Sequence, residues 1–214
     1  MNAVIAPTPV ITQIRRADLP LCGALLGGGY FTDLYRCGNT IRALITAPKA
    51  DNEAEEILWT PKRELVAGAM SFTDSLANTD AMAAAGSEIA IRYRALRIGG
   101  ADDWCIPALD VQQLQYRAFK PTADENACWS GCNINSIPPS QRYLLNSPGE
   151  TTLEAFKEGG PEAFETDDWY WSSTQYAGLP HYAWGAFFVD GGQSSGRKGY
   201  SAHARPVRSL LVID

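Results

Sequence analysis

The chain has 214 residues, of which 45% are hydrophobic and 20% charged, enough apolar material for one sizeable core and too much for a disordered chain. Eighteen Lys and Arg against 24 Asp and Glu give a net charge of −6 with no basic run, which removes the attraction that nucleic-acid binding requires. No segment approaches the ~18 apolar residues of a membrane helix, and the stretch Met1 to Pro7 lacks a basic start, so neither membrane insertion nor a signal peptide is expected.

In chain order, Pro7, Pro9 and Pro20 favour an extended arm over residues 1–20, suited to anchoring the domain to something larger. Gly27-Gly28-Gly29 and the alternation in Thr40 to Ile45 predict a hairpin between about 29 and 46. A division is placed after residue 56: an arm and hairpin over 1–56, then one domain over 57–214. Ile57-Leu58-Trp59 reads as a short strand ended by Pro61. Met82, Ala85, Ile89, Tyr93 and Leu96 form one stripe of a helix from about Asp80 to Arg97, stopped by Gly99-Gly100 and packed on the core. Asp110 is positioned to cap a second helix whose Val111, Leu114 and Ala118 share a face, and Pro121 ends it. Residues 120–168, rich in Pro, Ser, Asn and Gly, read as a long loop region ordered by Trp129, Tyr143, Leu144 and Phe156. Beyond it, aromatic residues alternate with small or polar ones as short strands. Two helices followed by aromatic strands is an α+β order.

Signals for chemistry are weak. Gly192-Gln193-Ser194-Ser195-Gly196 matches the nucleophile-elbow pattern, yet no helical run follows, and no Asp or Glu separates Ser194 from His203 as a triad in that order would need. A turn between two strands is the plainer reading. Cys128 and Cys132 have a spacing usable for zinc, but a second ligand pair is missing, so free thiols or one local disulfide are the alternatives. Five cysteines are an odd number and suggest no disulfide framework. Gly27-Gly28-Gly29 lacks the Lys and Ser or Thr of a phosphate loop. No catalytic residue, metal or cofactor is therefore assigned.

Four pieces from residue 100 onward carry a resemblance. They are Gly100-Ala101-Asp102-Asp103-Trp104-Cys105-Ile106-Pro107; Tyr170-Trp171-Ser172-Ser173-Thr174; Ala183-Trp184 with Phe188 and Gly191; and Arg205-Pro206-Val207-Arg208. In that order, across roughly residues 57–210, they resemble the Lcl C-terminal domains, formerly a domain of unknown function. The resemblance implies a C-type lectin-like fold of two helices, short antiparallel strands and long loops, here with a short N-terminal extension and hairpin. It also implies adhesion or display, as in bacteriophage and prophage tail and surface proteins. The calcium-binding triplets of many sugar-binding relatives of this fold do not occur, and six to eight oxygen ligands have no obvious source. The formylglycine-generating oxidases share the fold, but their chemistry needs cysteines late in the domain, where this chain has none beyond Cys132.

Aligned on the resemblance, Trp184, Ala186 and Phe188 point inward, with Gly185, Phe187 and Val189 opposite. Trp104, Trp171, Trp184 and Arg205 are expected to be structural, with Arg205 pairing with an acid such as Asp103. The turns would then carry a ligand surface of Tyr176, His181, Tyr182, Gln193, Ser195, Arg197, Lys198 and Tyr200, side-chain types that dominate binding hot spots. The expected function is a non-enzymatic virion protein of a tail tip, fibre or capsid, assembled in the host cytoplasm. It would bind a host-surface receptor, glycan or protein, through these loops, and act as a homo-oligomer beside other virion proteins. A purely structural decoration or assembly subunit is the alternative, and a serine hydrolase using Ser194 a third reading.

Overall fold

The computed structural model describes residues 10–50 and 52–214. The chain is α+β, with two five-stranded sheets and three α-helices among the described residues. The first sheet comprises β1 (Gln13–Arg15), β2 (Leu25–Leu26), β3 (Gly29–Cys37), β4 (Thr40–Thr46) and β10 (Val207–Ile213), ordered β1-β10-β4-β3-β2. The second comprises β5 (Ala54–Leu58), β6 (Trp169–Gln175), β7 (Tyr182–Phe187), β8 (Gln193–Arg197) and β9 (Ser201–Ala204), ordered β5-β9-β6-β7-β8. Both sheets join chain ends that are far apart in sequence: β4 pairs antiparallel with β10, and β5 with β9.

The expected hairpin forms as β3 and β4, with Cys37 opposite Thr40 and Gly38 turning the chain at φ +56°. The division after residue 56 falls inside β5, and the hairpin shares its sheet with the C-terminal strand. Of the expected arm, residues 1–9 with Pro7 and Pro9 lie outside the described residues. Gln13–Arg15 is extended but pairs in parallel with β10 of its own chain.

Three α-helices are present where two were expected: α1 (Ser75–Ala84), α2 (Glu88–Ala95) and α3 (Leu109–Phe119). The continuous helix expected over 80–97 is broken at Gly86, which adopts φ +86° while its N–H reaches Ala83 O and the Ser87 N–H reaches Met82 O. That paired closure is a helix C-terminus, and glycine takes the left-handed conformation without a Cβ penalty. The Ser87 hydroxyl then donates to Trp59 O at 2.6 Å, tying the break to the core. The predicted stripe still packs inward: Met82, Ile89 and Tyr93 are buried, with Ala85 and Leu96 against the same cluster. Asp110 does not cap α3. The cap position is Ala108, and the first N–H groups are met from outside, Leu109 N–H by Thr174 Oγ1 at 2.9 Å and Asp110 N–H by Phe72 O at 3.0 Å.

Helix α3 contacts β3 of one sheet and β6 and β7 of the other, which explains why eight of its eleven residues are buried, its three glutamines included. The Tyr-Trp-Ser-Ser-Thr motif of β6 is a buried polar seam against it. Ser172 donates to Trp184 O at 2.9 Å, Ser173 N–H donates to Pro107 O, and Thr174 both receives Leu109 N–H and donates to Ser71 O. These short hydroxyls satisfy backbone groups at chain crossings where no ladder can form.

The long region 120–168 contains one short 3-10 turn, Glu154–Phe156, and isolated bridges such as Asn133 to Ser140 and Leu144 to Ser147. Its order comes partly from Tyr143 and Phe156, which are buried, Phe156 stacking on Phe119 at 4.0 Å. Trp129 and Leu144, expected to help, are 70% and 69% exposed. The missing organiser is Asn126. Its Nδ2 donates to Leu144 O, Leu145 O and Pro148 O, and its Oδ1 receives the Tyr116 hydroxyl and the Lys120 ammonium. A single amide holding three carbonyls does what a ridge of apolar side chains was expected to do.

Arg205 is fully buried but does not pair with Asp103. It donates to Ala47 O and Glu162 O and to the Glu162 carboxylate, with Glu53 at 3.9 Å. Asp103 is held instead by Arg208, at 2.6 and 3.2 Å. The two arginines are three residues apart on extended chain, so their side chains leave by opposite faces. Arg205→Leu should strand two buried carboxylates and lower unfolding free energy by about 3–5 kcal/mol. Urea denaturation reads this, and a loss under about 1 kcal/mol would mean the guanidinium does not brace the sheets.

Candidate functional site

Strands β7 and β8 form one end of the second sheet, with β8 as an edge strand. The register places Tyr182 opposite Arg197, Trp184 opposite Ser195 and Ala186 opposite Gln193, so these six share one face. On the other face Ala183 is buried, and Gly196 lies so close to Trp171 that a Cβ there would sit 3.1 Å from its ring. Glycine at 196 lets the edge strand lie flat on that tryptophan.

The face that carries these six is open only at one end. Ala186 and Phe188 are buried against the α3 side, Phe188 stacking on Phe164 at 3.9 Å. Trp184 lies past that cover and is half-buried, its ring edge-to-face with Tyr176 at 5.3 Å. It is therefore a boundary side chain and not a core filler, unlike Trp104 and Trp171, which are buried as expected. Phe187, on the opposite face, rests on Trp169 at 4.1 Å.

Of the expected ligand surface, Tyr176, His181, Tyr182, Ser195, Arg197 and Tyr200 lie at this end with part or most of their surface in solvent. The His181 and Tyr182 rings are 4.9 Å apart, and Arg197 Nε donates to the Tyr182 hydroxyl at 3.3 Å. Tyr200 is 59% exposed, its N–H closing a turn onto Arg197 O. Among the described residues Arg197 has no carboxylate partner, so its charge stays available, bracketed by two tyrosines. Gln193 is tied inward, its N–H to Ser130 Oγ at 3.0 Å and its side chain to Leu109 O at 3.5 Å. Ser194 sits within β8, exposed, with another strand following where an elbow would need a helix.

Lys198 does not belong to the surface. It is fully buried, its ammonium donating to Glu64 O and the Gln175 side-chain oxygen and lying 4.3 Å over the Trp59 ring. Its position right after the exposed Arg197 turns it beneath the loop, where it clamps the 64–66 segment to β6; Gln175 Oε1 also receives Val66 N–H. The same clamp brings up Arg63, which sequence reasoning missed. Arg63 is exposed and close enough to Gly199 that a Cβ there would lie 3.0 Å from Nη2. Nothing local in Pro61-Lys62-Arg63-Glu64 announces a contact with the distant β8–β9 turn; only the buried lysine and glutamine link them.

Among the described residues no group of three or more His, Cys, Asp or Glu is placed to hold a metal ion, and no helix is long and apolar enough to cross a membrane. What the arrangement offers is contact: aromatic rings with polar ends around an unpaired guanidinium, on an otherwise acidic chain.

Burial lowers the Lys198 ammonium to about 8 from an ordinary value of 10.5. Between those values the unfolded chain holds a proton that the folded chain lacks, so this group makes stability rise with pH there; below about 8 both states are charged and its burial weighs fully against folding. The buried tyrosines, raised by burial, act oppositely, so Lys198 is isolated by subtracting a variant. Wild type minus Lys198→Met should grow more favourable by up to about 3 kcal/mol from pH 7.5 to 10.5 in urea titrations; a flat difference would contradict a desolvated ammonium.

Comparison of the chain with protein-family models, with curated proteins and with solved structures found no match, so its function is argued from its own motifs and geometry.

Proposed function

We propose that this chain is a non-enzymatic, C-type lectin-like protein of a bacteriophage or prophage virion that attaches to a host-surface receptor, glycan or protein, through the open end of β7–β8 and the turns beside it. The observation that carries the reading is the Tyr182, Arg197, Tyr200 cluster. An exposed arginine without a carboxylate partner stands between two tyrosines, with the Trp184 and Tyr176 rings alongside. Rings of this kind give large contact area at low entropic cost, and the guanidinium gives direction. The motif order described above supports the lectin-like assignment, as do long loops presented from a two-sheet frame. Repeated copies on a virion would raise weak single contacts to useful avidity.

A second reading, a purely structural decoration or assembly subunit, draws on a different surface. The 120–168 region exposes Trp129, Ile134, Leu144 and Leu145, each more than half in solvent, as side chains awaiting another protein would be. The two readings separate in one experiment. Purified protein is mixed with a panel of bacterial cells and the cell-bound fraction is measured for the wild type, for Tyr182→Ala/Arg197→Ala/Tyr200→Ala, and for Trp129→Ser/Leu144→Ser. Receptor binding through the proposed end predicts at least a tenfold loss in the first variant, with unchanged thermal stability, and none in the second. Binding untouched by the first variant discards the surface, and absence of wild-type binding across the panel favours the structural subunit.

A further inference from the structure

A cavity of about 290 Å³ lies away from β7–β8, between the β3–β4 hairpin, the start of α1 and strand β10. Tyr35, Cys105 and Val207 line it with buried, largely apolar surface. The Tyr35 hydroxyl is bonded to Ser209, and Cys105 Sγ donates to Val207 O at 3.3 Å, so this lining is internally satisfied. Five charged side chains also reach the cavity. Two of the carboxylates have protein partners: Asp103 is gripped by Arg208, and Asp80 by Arg94 at 2.7 Å. Arg42, from the sheet, and Asp74, from the helix wall, remain.

Among the described residues neither Arg42 nor Asp74 enters an ion pair. One Asp74 oxygen receives Ala77 N–H at 3.0 Å, capping α1 and fixing the side chain at the wall. Both charges act on the Cys37 thiol, which also lines the space: after burial, Asp74 raises it and Arg42 lowers it. A small cavity of mixed polar and apolar lining, with a cation on the sheet side and an anion on the helix side that both lack an ion-pair partner among the described residues, presents opposite charges that do not reach each other.

We infer that this cavity binds a small zwitterion of the amino-acid class, its carboxylate on the Arg42 guanidinium, its ammonium on the free Asp74 oxygen and its side chain over Tyr35 and Val207. A neutral apolar ligand would leave both charges unmatched, and a simple anion or cation would match one while facing the other. Only a dipolar molecule compensates both at once. The volume stands at the small end for ligand sites and suits a single amino acid, not a peptide or nucleotide. This site stands apart from the receptor surface, and either proposal can fail alone.

The test is calorimetric titration of the full chain with each of the twenty L-amino acids, followed by the N-acetyl and carboxamide derivatives of any that bind. At least one free amino acid should bind with a Kd of about 1 mM or tighter. Either derivative should weaken it at least tenfold, and so should Arg42→Gln and Asp74→Asn, the latter keeping a residue able to cap α1. Arg42→Lys, which keeps the charge, should retain measurable binding, and circular dichroism melts establish that each variant folds. Absence of binding by every amino acid, or binding that survives N-acetylation or Arg42→Gln, overturns the proposal.

Discussion

The burial of Arg205 is the constraint on which the two-sheet arrangement turns. Its guanidinium reaches the carbonyl of Ala47 just past β4, the carbonyl and carboxylate of Glu162 in the long loop, and the neighbourhood of Glu53 just before β5. It is itself placed where the chain passes from the second sheet at β9 to the first at β10. One side chain thereby fixes four segments that no common ladder joins. A planar fork with five donors can do this, and a lysine with a single point of charge cannot. Glu162 extends the brace, accepting Lys49 N–H and the Tyr30 hydroxyl, while the Tyr170 hydroxyl donates to Glu53. Burial raises the Glu53 carboxyl, and Arg205 and Lys49 oppose that rise, which is the signature of a charge kept inside by its partners.

How far the sequence foretold this depends on the range over which each signal acts. The β3–β4 hairpin and the stripe of Met82, Ile89 and Tyr93 were legible because turn geometry and helical periodicity are local. The break at Gly86 was legible in retrospect, since a glycine followed by serine can close one helix and begin another, but a continuous apolar stripe masked it. Arg205 and Arg208 were both visible, yet their partners were not. Assigning Asp103 to one or the other needs the facing of each residue where the chain crosses between sheets.

The same limit governs the candidate surface. Tyr182, Arg197 and Tyr200 could be placed near one another because β7 and the β8–β9 turn follow closely in the chain. Lys198 could not be distinguished from Arg197 by type, and only the fold shows one pointing out and the other down onto Trp59. Trp184 erred in the other direction. The resemblance placed it on one face with Ala186 and Phe188, as the strand has it, but α3 covers only the Ala186 end of that face, and helix reach is a property of the assembled layers. In the loop region, apolar size suggested Trp129 and Leu144 as organisers, whereas Asn126 supplies the order through backbone carbonyls. An asparagine in a loop carries no sequence mark that separates a hub from a turn residue.

These placements divide the molecule into a frame and an edge. Ser172 and Thr174 are buried in the frame, so replacing either by an apolar residue leaves a polar backbone group unmet inside the protein. Strand β8 has a partner on one side only, and Arg197 and Tyr200 project from it and its turn with little packed against them. Substitution there forfeits few contacts, and opening of that edge does not require the sheets to part. Lys198 is the hinge between the two regimes, since its ammonium secures the 64–66 segment and Gln175 to the root of the turn. A surface built this way can change its contact residues while the frame stays fixed, provided that the buried amine and its acceptors are kept.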